Sequence, residues 1–263
     1  MKTKLISLTA AIATLCILAS GVTAATTDAG NTIVFASPQW APYVFQDGKG
    51  TTQGVYIDIL NEIFAKNLQL PVTYIDFPWK RAQIAVKEGL ADLIITVATP
   101  DRLQYAVSSD SPVLEMYLHV FTYTGHPRLS EIESITSGED ILRMGLVPVT
   151  NLGNVWHKNH IDHLGVATRY VPSEENAFLF LAAQRADITI EALIAGSYLI
   201  KQLDLVDRIT PTKARFGPLT FHLLLSKKSS HLKRMGEINQ VIESLHQSGR
   251  MQRIYERYRH DGQ

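Results

Sequence analysis

The sequence predicts an α/β protein of two doubly wound lobes that share a cleft. Short apolar runs alternate with stretches of helical periodicity along most of the chain. A βαβαβ arrangement occurs twice, around 33–97 and 144–190, which is enough for two separate parallel sheets. Hydrophobic residues make up 46% of the 263, and 25 Lys+Arg balance 25 Asp+Glu, so each lobe can bury a core. The same balance excludes a disordered chain and a globally basic nucleic-acid binder.

Residues 1–24 stand outside this fold. Lys2 and Lys4 precede an apolar stretch from Leu5 to about Leu18, and Val22-Thr23-Ala24 places small residues before a cleavage point. This pattern reads as a secretory signal peptide cut after Ala24. The alternative, a membrane anchor, is disfavoured because the run is short and carries Ser7, Thr9 and Thr14. Cys16 follows Leu15, where a lipoprotein signal wants a small residue. Cleavage would take Lys2 and Lys4 from the 25 basic residues, leaving 23 against 25 acidic and a net charge of −2. Cys16, the one cysteine, would leave too, so disulfides, thiol nucleophiles and cysteine–metal sites are excluded from the mature protein. It is expected to be soluble in an exported compartment.

The elements follow in order. Ile33-Val34-Phe35-Ala36 is a buried strand ending at Ser37-Pro38. Gly54 to Asn67 reads as a helix with Val55, Ile57, Ile59, Leu60, Ile63 and Phe64 on its apolar face. Pro71 to Phe77 is a strand, and Pro78 opens a helix stopped by Gly89. Asp92 to Val97 is a buried strand. Thr99-Pro100-Asp101 then gives an N-cap, a proline at the first helical position and an acid on the positive helix end. Tyr117 to Tyr123 alternates and is rich in β formers. Met144 to Val147 reads as a strand, followed by a helix beginning near Asn151 to Asn154 and running toward His163. Thr168 to Val171 and Asp187 to Ile190 are strands around a helix from Ser173 to Arg185. A helix from Ala192 to Leu203, a strand from Phe221 to Leu225, and helices over His231 to Leu245 and Arg250 to Arg259 complete the chain. Ligands of such sheets sit beyond the carboxyl ends of the strands, which here hold Ser37 to Tyr43, Phe77 to Trp79, Thr96 to Arg102, Pro148 to Asn151 and Glu191.

Four segments carry a family likeness. They are Trp40-Ala41-Pro42-Tyr43 with Gly54-Val55-Tyr56-Ile57-Asp58-Ile59, Gly89-Leu90-Ala91-Asp92 with Thr99-Pro100-Asp101-Arg102, Arg185-Ala186-Asp187, and Leu232 to Asn239 with Gly249 to Tyr255. In this order and spacing the chain resembles a periplasmic solute-binding protein of the amino-acid-binding type, bacterial extracellular solute-binding family 3. The resemblance implies a type 2 periplasmic-binding fold, whose lobes are joined by a two-strand hinge and close on a ligand cleft. It puts the crossings near Leu114 to Leu118 and Arg215 to Leu219. Lobe 1 is then discontinuous, 32–114 plus 219–263, and lobe 2 is 115–218 with the crossings.

The resemblance also suggests ligand-binding residues. Arg102 would fork two hydrogen bonds to a ligand carboxylate, a task that suits a guanidinium and not a point-charge Lys. The alternative is a solvated helix arginine. The segment from Asp92 to Arg102 is about two residues shorter than usual, and Thr96 is our choice for the accompanying hydroxyl. Trp40 and Trp79 would flank the ligand side chain from opposite faces, as an apolar slot or a cation–π clamp; core packing is the alternative. Tyr43 is a weaker ligand candidate that also suits packing. Glu191 stands one residue before the family's usual acid, with Ala192 in the matching place. It either reaches the ligand ammonium, or the ligand lacks one, or the acid is structural. Thr150 and Asn151 resemble a turn closing over the carboxylate, with Val149 in place of glycine. Ser37 stands where some relatives carry an acid that reads a basic side chain, which argues mildly against a Lys- or Arg-type ligand.

Two further groups are read from the residues alone. His157, His160 and His163 recur every third residue on one helix, so their directions drift apart, and a solvated face fits better than a metal site. Lys80-Arg81 serve either an exposed face or an anionic ligand.

The expected function is a periplasmic, monomeric, non-catalytic binding protein without cofactor or metal. It would hand a small polar solute, an amino acid or similar carboxylate, to an inner-membrane ABC permease. A dehydratase-like secreted enzyme on the same fold, with Glu191 as its acid, and a module presenting its ligand to a sensor receptor are the alternatives.

Overall fold

The first lobe is built around a three-strand parallel core. The computed structural model describes residues 31–261, so the signal-peptide reading lies outside the described residues. Strand β1 (Ile33–Ser37) is followed by a short antiparallel ribbon, β2 (Phe45–Gln46) and β3 (Thr52–Gln53). Helix α1 (Val55–Leu60) continues as wider π turns over Asn61–Asn67 and leads to β4 (Val72–Asp76). Helix α2 (Trp79–Glu88) leads to β5 (Leu93–Thr96). β1 lies between β4 and β5, parallel to both, with Phe35 opposite Tyr74 on one side and Leu93 on the other. This is the βαβαβ unit expected from the alternation of patterns.

Helix periodicity decides how each face is covered. α2 buries Ala82, Ala85 and Val86, an i, i+3, i+4 set, and its alanines bring it close to Ala36, Ile94 and Leu224. α1 and its π turns bury Val55, Tyr56, Ile59, Leu60, Ile63 and Phe64 on the other face. Tyr56 takes the buried place expected for Ile57, which is only half-buried.

The chain continues through the single turn α3 (Pro100–Leu103) and β6 (Ala106–Ser108) into β7 (Leu114–Tyr123). Helices α4 (Leu129–Ile132) and α5 (Gly138–Met144) precede β8 (Val149–Asn151). Then come α6 (Val155–His160), β9 (Arg169–Val171), α7 (Glu174–Ala182), β10 (Thr189–Ala192) and α8 (Leu193–Gln202). The 18-residue strand β11 (Ile209–Ser226) leads to α9 (Met235–Gln247) and α10 (Arg250–Asp261). The main sheet runs β10-β7-β11-β5-β1-β4, with β6 also on β11.

β7 and β11 knit the two lobes together. They pair antiparallel from Leu114 opposite Phe221 to Tyr123 opposite Ile209, with register shifts between Pro211 and Arg215 and between Phe216 and Leu219. In the second lobe β8 and β9 are parallel, and a parallel bridge joins Pro148 to Ile188. That lobe's core gathers Phe121, Phe178 and Leu181 under α7 and α8, and the Phe121 and Phe178 rings meet edge to face.

Four local readings change. Met144 ends α5, which the sequence reading missed, and the strand begins at Val149. Ser137 accepts from the Asp140 N–H while the Asp140 carboxylate accepts from the Ser137 N–H, a capping box that fixes the start of α5. Thr150 and Asn151 end β8 instead of opening a helix, because their backbones pair with Tyr170 and Val171. The helix starts after Asn154, whose side chain accepts from the His157 N–H at 3.0 Å. The strand expected over Phe221 to Leu225 is the last part of β11. The histidines do not share a solvated face: His157 is buried and bonds Thr168 Oγ1 at 3.1 Å, while His160 stacks on Trp156.

Candidate ligand cleft

The turn after β1 is held in place by the start of α1. Trp40 N–H donates to Val44 O at 2.7 Å, and Tyr43 N–H to Trp40 O at 2.7 Å. The carbonyls of Pro42 and Tyr43 then accept from Val55 and Tyr56 N–H, both at 3.0 Å. They satisfy two amides that a helix start leaves open. Gly54 makes this approach possible: it has φ 131°, and a Cβ there would lie 2.3 Å from Tyr43 O. Tyr43 has no exposed surface; its ring carries Trp40, with centroids 4.1 Å apart, and its hydroxyl faces Met116 Sδ at 3.9 Å. Trp40 also packs near Phe221, at 6.3 Å, and is only partly buried.

Trp40 walls a cavity of about 270 Å³ between the lobes. Gln39 and Phe45 line it from the same side, and Glu174, Glu191 and Tyr198 from the other. Phe45 and Tyr198 approach across the gap, with centroids 5.9 Å apart. Glu191 stands opposite His119 on β7, and its Oε1 accepts from the Ala192 N–H at 2.7 Å. Burial pushes its carboxyl up to about 7; nearby Glu174 adds to the rise and the Ala192 bond opposes it. Glu174, the first residue of α7, accepts from Asn151 Nδ2 at 2.8 Å. Buried Thr150 accepts from Asn154 Nδ2 at 2.9 Å. Thr150, Asn151, Glu174 and Glu191 thus enclose a small niche beside the main cavity.

Arg102 and Trp79 form a second cluster, at the carboxyl ends of β5 and β4. The Arg102 guanidinium carbon lies 5.3 Å from the Trp79 ring centroid. Its Nη1 donates to Val97 O at 2.8 Å and its Nε to Gln83 Oε1 at 3.1 Å. The side chain is half-buried, which lowers its pKa, and two of its five N–H donors are used among the described residues. Thr96 ends β5, buried, opposite His222. Thr99 takes the N-cap position of α3, but its side chain makes no capping bond.

The structure therefore joins Arg102 to Trp79, and Trp40 to Tyr43. It gathers Glu191, Thr150 and Asn151 around one niche. Arg102 and Trp79 are not among the residues lining the 270 Å³ cavity. Ser37 is buried and bonds Pro38 O, and Arg81 lies 5.7 Å from the Phe77 ring. A larger cavity, about 410 Å³, lies between the start of β7 and helices α9 and α10 and holds none of the candidates. Glu174, Phe45, Tyr198 and Gln83 were missed. Ser173 followed by two acids reads simply as a helix start, and only the fold turns Glu174 toward Glu191. Among the described residues no group of His, Cys, Asp and Glu could hold a metal, and no helix is long and apolar enough to cross a membrane.

A family model of bacterial extracellular solute-binding proteins, family 3, matches residues 32–261. Among solved structures, an ancestral arginine-binding protein bound to arginine is 22% identical with a TM-score of 0.67, covering 87% of this chain and 98% of its own. A histidine kinase sensor domain with similarity to periplasmic binding proteins is 19% identical, TM-score 0.65, covering 86% and 95%. An ancestral amino acid-binding protein described as a precursor of cyclohexadienyl dehydratase is 18% identical, TM-score 0.66, covering 87% and 95%. At these identities the likeness is one of fold. No curated protein sequence matches at a significant level.

Proposed function

This chain belongs to the bacterial extracellular solute-binding proteins, family 3, and from that premise we propose that it is the periplasmic capture component of an ABC-type uptake system. It binds a small polar solute, an amino acid or related carboxylate, by lobe closure and without catalysis. The observation that carries this reading is the cavity of about 270 Å³ between the lobes, walled by Trp40 on one side and Glu191 on the other. A solute there contacts both walls only when the lobes approach, so binding shifts the open–closed equilibrium.

Arg102, stacked on Trp79, takes the solute carboxylate, with Thr96 beside it. Thr150 and Asn151 shape the second-lobe wall. The lobes divide as 32–114 plus 219–263 and 115–218, and motion concentrates where β7 and β11 cross. The register shift between Phe216 and Leu219 supports a flexible crossing there. The protein works as a monomer, exported by a signal peptide and docking on its permease when closed.

Isothermal titration of solute-free protein against amino acids and small carboxylates tests this. One-to-one binding at micromolar or tighter affinity is expected for at least one of them. No heat and no thermal shift with any charged small solute would overturn it.

A second reading rests on the raised Glu191 carboxyl, which suits a general acid in a dehydratase. Product from prephenate or arogenate, lost in Glu191→Gln, would favour it.

A further inference from the structure

The charge lining the cleft exceeds what one ammonium would neutralise. Glu174, Glu175 and Glu191 line the cavity, and no Lys or Arg is among its lining residues. Glu175 is exposed, Glu174 is partly buried and fixed by Asn151, and Glu191 is partly buried too, with one oxygen turned to the Ala192 amide. The three acids thus line one wall of the cavity. The other wall is aromatic: Trp40, locked from behind by Tyr43, and Phe45, which meets Tyr198 across the gap. Ring faces attract cations and gain nothing from anions. Glu174 and Glu175 sit in the first turn of α7, where the helix end favours their negative charge. A second cation placed here gains a carboxylate partner in Glu174, which an acidic side chain would instead repel.

Resting on the binding role proposed above, we propose that the solute carries two separated cationic groups, one held by Glu191 and the second by Glu174 against the Trp40, Phe45 and Tyr198 rings. Ser37, on the first lobe, argued mildly against a basic ligand. The structure supplies the acids from the second lobe instead. Basic amino acids and simple diamines share this chemistry, and Arg102 distinguishes them because only the amino acids offer it a carboxylate.

Titration calorimetry on solute-free protein tests the assignment with three sets of probes. Arginine, lysine and ornithine carry two cations and a carboxylate. Putrescine and agmatine carry two cations and no carboxylate. Glutamine and glutamate carry one cation. Solutes of the first or second set should bind at least tenfold tighter than those of the third. Glu174→Gln, which keeps an acceptor for Asn151, should remove at least tenfold of that preference while thermal unfolding stays within a few degrees. Tight binding by the first set alone identifies a basic amino acid, and by both sets a polyamine-like solute; either supports the proposal. Glutamine or glutamate binding as tightly as the two-cation probes would overturn it and leave the binding role standing. An unchanged preference in Glu174→Gln would overturn it as well. No binding by any probe would remove the two-cation assignment together with the amino-acid reading.

Discussion

Arg102 and Trp79 form one unit, the guanidinium carbon 5.3 Å from the indole centroid and the fork pinned by Val97 O and Gln83 Oε1. The two residues come from different βα connections, so the parallel sheet is what brings them together. Fixing two of the five N–H groups orients the remaining donors before a ligand arrives, which lowers the ordering cost of binding.

The first prediction follows from that arrangement. Arg102→Lys keeps the charge but loses the planar fork and its stacking, so affinity for a carboxylate-bearing solute should fall at least tenfold. Stability should change by about 1 kcal/mol or less, since the side chain is only partly buried and its charge is kept. Calorimetry and a urea titration measure the two effects separately. Undiminished affinity in the variant would make the stack a surface feature.

Glu191 sets a pH dependence. Its carboxyl is raised from 4.5 to about 7, so the folded chain retains a proton there that the unfolded chain releases. The contribution of Glu191 to stability should then be fully present below about 4.5, fall as pH rises toward about 7, and be lost above it. Solute binding runs the other way. A cation seated beside Glu191 needs the carboxylate, so affinity should weaken by up to roughly tenfold per pH unit below the raised value. Glu191→Gln should flatten both trends relative to the parent, as read by urea titrations and calorimetry at pH 5, 6, 7 and 8. A parent whose affinity is constant over this range would show that Glu191 meets no cation.

Much of the first lobe was legible because its elements have clean periods. β1, β4 and β5 read as short apolar or β-rich runs, and α2 ends at a left-handed Gly89. β11 was not, because Pro211 and Gly217-Pro218 argue against a continuous strand. The register shifts beside these residues are how the pairing accommodates them. α5 was hidden because Ile141, Leu142 and Met144 run into Gly145-Leu146-Val147 as one apolar stretch, although Ser137 and Asp140 carried its capping signal. Among the site candidates, Trp40, Trp79 and Arg102 follow strand ends that the sequence shows, and the family resemblance singled them out from there. Glu174 could not be found in this way, since its partner Asn151 is 23 residues away and belongs to another element. The burial of His157 likewise depends on Thr168 and Asp162, outside its own helix.

Gly196 tests the packing of the second lobe. It lies in α8 against Phe121, and an added Cβ would lie 2.3 Å from the ring's Cζ and 2.7 Å from Cε2. Phe121 is fully buried and wedged on Phe178, so it has little room to retreat. Gly196→Ala should cost about 1–3 kcal/mol by overpacking. Gly236, exposed in α9 with nothing within 4 Å of its Cβ position, should instead gain about 0.5 kcal/mol as alanine. Urea denaturation of both variants checks the contrast in sign, and a destabilised Gly236→Ala would show that the α9 start is not an ordinary helix position.

Gly54 links backbone geometry to the cleft. Its φ of 131° is closed to L side chains, and its Cβ position falls 2.3 Å from Tyr43 O and 2.8 Å from Pro42 O, both backbone atoms. Gly54→Ala therefore cannot be absorbed by a rotamer change; the Trp40–Tyr43 turn must move off the start of α1. The strain should cost on the order of 1–3 kcal/mol. Because Tyr43 carries the Trp40 ring, the displacement should also weaken solute binding, toward the level of Trp40→Ala, even under conditions where both variants are fully folded. Calorimetry on the two variants beside the parent, with folding verified by circular dichroism, reads this out. If Gly54→Ala is destabilised yet binds like the parent while Trp40→Ala does not, the turn and the indole are mechanically independent, and Trp40 is held from the Phe221 side.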